Sequence, residues 1–314
     1  MASRAMRSLL TDLVDYAGLY PPAALDMPRA VENFARYRMG EHEWMLSRFV
    51  CPASRLKDLS KHGASLMPGT NATSGYREYA DAEPWRISAV IEGGVDSLDA
   101  ALDLVDEFNA HHAAEENGLA RVDMLEIKTP VATDIDAALD VLPASLLPCF
   151  EIPLNGDPRG HVAAIAGESA IAKIRTGGVK PEAFPSGAQI ASFLVAAASA
   201  DVAFKATAGL HHPVRGQYPL TYEPSSPTCA MHGFLNLFLT AALVKTKKLS
   251  DQEAANLLDH MPASAIRIAE DRVELGEHSI DAMQIAHVRE GFALSFGSCS
   301  FDEPVEDLTR LGMW

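Results

Sequence analysis

The sequence predicts an α/β fold of the (β/α)8 TIM-barrel type, with one domain covering 1–314. Three observations carry that expectation. A short apolar run followed by an amphipathic stretch of helical length recurs eight times. The runs are hydrophobic almost continuously, as parallel strands covered on both faces are, instead of alternating with polar residues. Charged residues close those runs at their C-terminal ends, where a barrel builds its binding face. No Gly-x-Gly-x-x-Gly follows an early strand, which argues against a doubly wound dinucleotide fold.

Strands are expected at 13–19, 44–50, 87–91, 122–128, 149–153, 171–175, 202–207 and 294–298. After the third, 96–108 places Leu98, Leu102, Val105 and Phe108 on one helical face, and its acidic first turn suits the helix dipole. His111 and His112 follow, expected as a solvated pair at that helix's end. The stretches 188–198 and 234–244 are apolar all round, as helices packed on two sides are. Beyond the seventh strand, 211–227 holds too many prolines for a helix, and extra helices are expected between 250 and 290. A long loop at this point belongs to a lid or a substrate-selecting segment.

Composition narrows the partners. With 42 Asp+Glu against 26 Lys+Arg the net charge is −16, so neither nucleic acid nor an anionic membrane is an expected partner. An anionic small molecule stays compatible, because a basic pocket can lie inside an acidic shell. No apolar segment of signal-peptide length precedes Asp12, and the stretch near 234–244 is too short to span a bilayer. Cys51, Cys149, Cys229 and Cys299 are widely spaced, without a Cys-x-x-Cys pair, so no disulfide framework or zinc knuckle is expected. A cytoplasmic homo-oligomer follows, a dimer being the commonest symmetric assembly.

The chemistry concentrates on the later strands. Lys173 and Lys205 occupy near-matching settings, each after an apolar run and each followed shortly by glycine. Strand parity pairs Lys173 with Arg175, Lys205 with Thr207, Glu126 with Lys128, and Cys149 with Glu151 on common faces. Outward-pointing charges would press on the covering helices, so the inward direction is cheaper. An ammonium beside another cation loses basicity, and a neutral amine attacks carbonyls. Glu126 and Glu151, with Lys128, are the expected proton carriers, and Glu126 is preferred because parity turns Asp123 away from it unless the strand is bulged. Turns rich in glycine, Thr176-Gly177-Gly178, Ala208-Gly209 and Phe296-Gly297-Ser298-Cys299-Ser300, end strands six to eight and are candidates for an anion site. For each lysine alone a rim salt bridge is an equal account, and for each glycine alone a tight turn is the simpler one.

These motifs resemble the deoxyribose-phosphate aldolase family of class I aldolases over roughly residues 120–300. Lys173-Ile-Arg-Thr-Gly177 is similar to the family's Schiff-base strand, and Lys205-Ala-Thr-Ala-Gly209 to its second-lysine strand. Phe296-Gly-Ser-Cys-Ser300 is similar to its phosphate turn. By that resemblance Lys173 forms the imine, Lys205 depresses its pKa, and Asp123 of Val122-Asp-Met-Leu125 relays protons. Arg175 and the Glu126-Ile-Lys128 charges depart from the family pattern, and the His211-His212 loop has no counterpart in it.

The expected function is a lysine-dependent aldolase or lyase acting on a small phosphorylated or carboxylated carbonyl compound, with no cofactor and no metal. Arg175, Thr176, Gly177, Gly178, Thr207, Gly209, His211, His212, Gly297, Ser298 and Ser300 are the expected substrate and phosphate contacts. The sequence does not choose between Lys173 and Lys205 as nucleophile, because each can perturb the other. Two alternatives keep the barrel. One is metal-assisted lyase, isomerase or hydrolase chemistry in which His211 or His212 joins Glu151, Glu126 or His232. The other is a non-catalytic barrel that binds a phosphorylated metabolite.

Overall fold

Eight parallel strands close into a barrel in the computed structural model, which describes residues 2–73 and 83–314. They are β1 (Val14–Tyr16), β2 (Leu46–Pro52), β3 (Trp85–Ile91), β4 (Ala120–Lys128), β5 (Leu147–Glu151), β6 (Ile171–Arg175), β7 (Phe204–Thr207) and β13 (Ala293–Ser298). Sequential strands are neighbours from β1 to β7, and β13 closes the ring between β7 and β1. The (β/α)8 expectation is therefore met. The first strand is shorter than expected, because the chain turns at Ala17, whose carbonyl accepts the Tyr20 N–H.

The covering helices follow their strands: α2 (Met27–Arg38), α3 (Leu56–Gly63), α4 (Leu98–His111), α5 (Thr133–Leu139), α6 (Arg159–Ile165), α7 (Gly187–Ser199), α8 (Phe234–Lys247) and α11 (Asp302–Arg310), with α1 (Arg4–Leu10) ahead of the barrel. Local chemistry sets their starts. The Asp26 side chain accepts from Arg29 N at 3.0 Å, and Ser186 with Gln189 forms a reciprocal capping box on α7. Every residue of α8 from Phe234 to Val244 is buried, which accounts for its all-round apolarity. A fully apolar layer of Phe34, Phe49 and Trp85 packs edge-to-face between helix and barrel on the early side.

Between β7 and β13 the chain does more than predicted. A hairpin of β8 (Gly216–Pro219) and β9 (Thr228–Met231) occupies the proline-rich loop. Helices α9 (Asp251–His260) and α10 (Ala282–Gly291) supply the expected extra helices. A three-stranded antiparallel sheet of β10 (Ile266–Ile268), β11 (Arg272–Leu275) and β12 (His278–Asp281) lies between them. Val273, Leu275 and Ile280 are its buried side, and Gly276 supplies the positive φ that the two-residue turn requires. His112 departs from expectation as well. It is buried, bonding Gly118 O through Nδ1 and Ser60 Oγ through Nε2, because the chain folds back over the end of α4. Among the described residues no helix is long and apolar enough to cross a membrane.

Inside the barrel, Met124, Cys149 and Ile171 form an apolar plug. A charged layer lies toward the C-terminal strand ends, and this layer is the functional candidate.

Candidate active site

Register places the charges in a row. Lys128 of β4 is the partner of Glu151 on β5, Glu151 of Lys173 on β6, and Lys173 of Lys205 on β7. The row continues to Ser295 on β13. Because register partners point the same way, five adjacent strands deliver their polar side chains to one face of the barrel wall.

The contacts form a chain of alternating sign. Lys205 Nζ lies 2.6 Å from Asp15 Oδ2 and 2.6 Å from Glu126 Oε1. Lys173 Nζ lies 2.7 Å from Glu126 Oε2 and 2.6 Å from Glu151 Oε2, and Arg175 Nε is 3.5 Å from Glu151 Oε1. Ser88 donates to Glu126 and Ser295 to Asp15, each at 2.7 Å, and Arg48 N donates to Asp15 at 3.0 Å. Each inner carboxylate therefore meets at least two donors, which is what burial of charge demands.

The lysines are not neutral in this arrangement. Burial lowers the Lys173 pKa, but Glu126 and Glu151 outweigh it, so the ammonium is held above its ordinary value. Lys205 is raised in the same way: burial opposes, and Asp15 with Glu126 prevails. Burial would raise Glu126, and the two lysines bring it well below the carboxylate range. Asp15 and Glu151 are lowered too, against burial, by Lys205 and Lys173 respectively. The expected mutual depression of two ammonium groups is absent because Glu126 stands between them.

The row opens on a cavity of about 900 Å³, walled by Glu126, Lys128, Glu151, Lys173, Arg175, Gly178, Thr207, His211 and Gly297 among the predicted residues. Lys205 does not reach it, its side chain being 0% exposed. Of the two nucleophile candidates, Lys173 is the one that lines the cavity.

Six predicted contacts lie elsewhere. Thr176 Oγ1 donates to Ala208 O at 2.7 Å, fastening the turn after β6 to that after β7. Gly177 and Gly209 touch back to back beneath the Phe184 ring, so a Cβ on Gly177 would meet Gly209 Cα at 2.7 Å. Ser298 Oγ donates to Ser300 O at 2.6 Å, and Ser300 Oγ accepts from Glu303 N at 3.2 Å, so both hydroxyls serve their own turn. His212 pairs with Asp307 at 2.6 Å and stacks on Tyr218. Together with the enclosed Lys205, these residues position the site instead of lining it.

The histidines part company. His211 faces the cavity and pairs with Glu303 at 3.1 Å; burial opposes its charge, yet the bonds to Cys299 and Glu303 push it up to about 10. Tyr222, from the hairpin loop, donates to the same Glu303 at 2.8 Å and so ties that loop to α11. His232 instead bonds Pro185 O and Arg215. Among the described residues, no three His, Cys, Asp or Glu side chains converge as a metal site.

Asp123 shows why strand parity needed a proviso. On β4 Val122 partners Ile87 and Met124 partners Ser88, so Asp123 is the extra residue of a bulge. It receives Arg48 at 2.7 Å and Arg86 at 2.8 Å and touches neither lysine. Glu126 takes the place between the lysines. Asp15, Ser88 and Ser295 were not among the predicted residues. Their signal was a polar residue inside an apolar strand run, clearest for Asp15 in Leu13-Val14-Asp15-Tyr16.

No family model, curated protein or solved structure matches the chain. What the site can do chemically has to come from its own geometry.

Proposed function

We propose that the protein is a Schiff-base lyase or aldolase in which Lys173 attacks a small anionic carbonyl compound. The observation that supports this most is the setting of one amine. Lys173 lines the cavity with its Nζ held between carboxylates at 2.6 and 2.7 Å, while the second lysine is fully enclosed. A lysine serving only as a fold-stabilising ion pair has no need of a cavity beside it.

The resting ammonium has to lose a proton before it can attack. Glu151 is the better acceptor, because Glu126 is held anionic by a second lysine, whereas Glu151 has only Arg175 besides, at 3.5 Å. The free amine adds to the carbonyl carbon. Two of the three ammonium protons leave with the carbonyl oxygen as water, carried by Glu151, and the third stays on the iminium nitrogen. Cleavage of the adjacent carbon–carbon bond sends its electron pair into the iminium, and a β-hydroxyl proton passes to Glu151. Lys205, Asp15 and Ser295 keep Glu126 charged and in place, acting as positioning groups.

Reductive trapping tests the proposal. The protein is incubated with acetaldehyde, pyruvate and glycolaldehyde, borohydride is added, and peptide masses are read. A stable adduct on Lys173 is the expected result. No adduct from any of the three, or adducts on surface lysines only, would sink it.

A further inference from the structure

Resting on the Schiff-base reading above, we propose that Lys128 and Arg175 form a carboxylate subsite, so that the carbonyl compound taken by Lys173 carries a carboxylate close to its carbonyl carbon. These are the two cations of the cavity that the protein leaves without a firm counter-charge. The Lys128 side chain has no hydrogen bond or ion pair among the described residues. Arg175 reaches only Glu151, at 3.5 Å, with its side chain 52% exposed. The nearby carboxylates are engaged elsewhere: Glu92 accepts from Ser54, and Glu151 holds Lys173 at 2.6 Å.

Position relates the pair to the nucleophile. Lys128 is in register with Glu151, and Glu151 with Lys173, so Lys128 lies two strands away in the same row; Arg175 is two residues further along β6. At about 4.8 Å between strands and about 3.3 Å per residue, their Cα atoms lie roughly 10 Å and 7 Å from that of Lys173. Long side chains from both sides then meet within a few bonds of the carbon that Lys173 attacks. A second cavity of about 370 Å³ adjoins the first and shares Lys128, Pro130, Glu151 and Arg175 with it, so both cations border both cavities.

The anion's class follows from the neighbours. A phosphate cradle is built from backbone N–H groups and hydroxyls, whereas here the Thr176 and Ser298 hydroxyls donate to the carbonyls of Ala208 and Ser300, and Ser300 Oγ accepts from Glu303 N. Glu151, beside the Arg175 guanidinium, repels a dianion more than a monoanion. A planar fork and a point charge suit one carboxylate.

The test compares pyruvate with its neutral methyl ester in borohydride trapping, for the wild type, Lys128→Met, Arg175→Met and the double variant. The ratio of pyruvate to methyl pyruvate trapping rates is expected to fall at least tenfold in the double variant. Calorimetry with lactate, which has no carbonyl to trap, reads the subsite alone, and its affinity should fall by a similar factor. Lactate binding that the substitutions weaken, without any trapped adduct, would uphold the subsite and remove the Schiff base. Adducts on Lys173 with an unchanged ratio would overturn the subsite and leave the Schiff base standing. Lactate that does not bind the wild type, or inorganic phosphate that binds more tightly at the same two residues, would overturn the carboxylate assignment.

Discussion

Lys173 and Lys205 share one carboxylate: Glu126 places Oε2 2.7 Å from the first ammonium and Oε1 2.6 Å from the second. Neighbouring strands of a barrel would otherwise press these two cations together, at a cost that rises steeply out of water. With Glu126 between them and Asp15 behind, both remain charged in a nearly dry layer.

The first prediction concerns that bridge. Glu126→Gln keeps the shape and removes the charge, leaving each lysine a single carboxylate. Breaking one side of a buried ion pair typically costs about 3–5 kcal/mol, and the same order is expected here. Urea unfolding at pH 7 measures it, and a midpoint equal to wild type would mean that the bridge is not ionic.

Removing the lysines one at a time should give different results. Lys173→Met should abolish adduct formation altogether. In Lys205→Met, Glu126 loses its other partner and binds Lys173 more firmly, which raises the Lys173 pKa further. One further pKa unit would slow trapping at Lys173 about tenfold at fixed pH. Faster trapping in Lys205→Met would show instead that Lys205 acts as a repelling neighbour.

The pH dependence has a definite sign. Because the Lys173 pKa is raised in the folded protein, the free amine becomes scarcer at neutral pH. Trapping rates should climb about tenfold per pH unit from 7 to 9, since only the neutral form attacks. A flat profile would mean that bound substrate itself drives the proton onto Glu151. The lysines' contribution to stability is fully present below the usual value of 10.5 and lost only as pH rises through the higher folded values.

The carboxylates give the opposite limb. Asp15, Glu126 and Glu151 are all depressed, so the stability they contribute is present above the ordinary carboxylate range, 3.8 to 4.5, and lost as pH falls through their folded values. Urea midpoints should drop steeply below about pH 4. Asp15→Asn should be less stable at pH 7 and should show a shallower acid limb than the wild type. Parallel limbs would place the acid sensitivity elsewhere.

Much of this was legible in the sequence because period and charge point the same way. Near-continuous apolar runs ending in Lys128, Glu151, Arg175 and Thr207 specify both the barrel and its working rim. Three things were hidden for physical reasons. The bulge at Asp123 inserts one residue into a strand and leaves no mark in composition. Asp15 belongs to the site only because β13 and β1 close the ring, a contact between the two ends of the chain. The serines of the last turn share the residue types of a phosphate cradle, but a side chain that bonds its own turn cannot be told from one that bonds a ligand until its rotamer is known.

The glycines separate structural from ligand-binding roles most cleanly. Gly177 and Gly209 lie on adjacent turns, and Gly209 has a φ of +71°, where an L side chain is strained. A methyl on Gly177 would meet the Phe184 ring at 2.5 Å and Gly209 Cα at 2.7 Å, so either the ring or the backbone has to move. Overpacking of this kind costs about 1–3 kcal/mol. Gly177→Ala should therefore lower the urea midpoint by a corresponding amount. It should also slow trapping at Lys173, because the displaced turn begins directly after Arg175. If these glycines instead served an anion by exposing backbone N–H groups, the same variant would lose affinity for inorganic phosphate while keeping its urea midpoint. Thermal unfolding with and without phosphate, run beside the urea series, distinguishes the two.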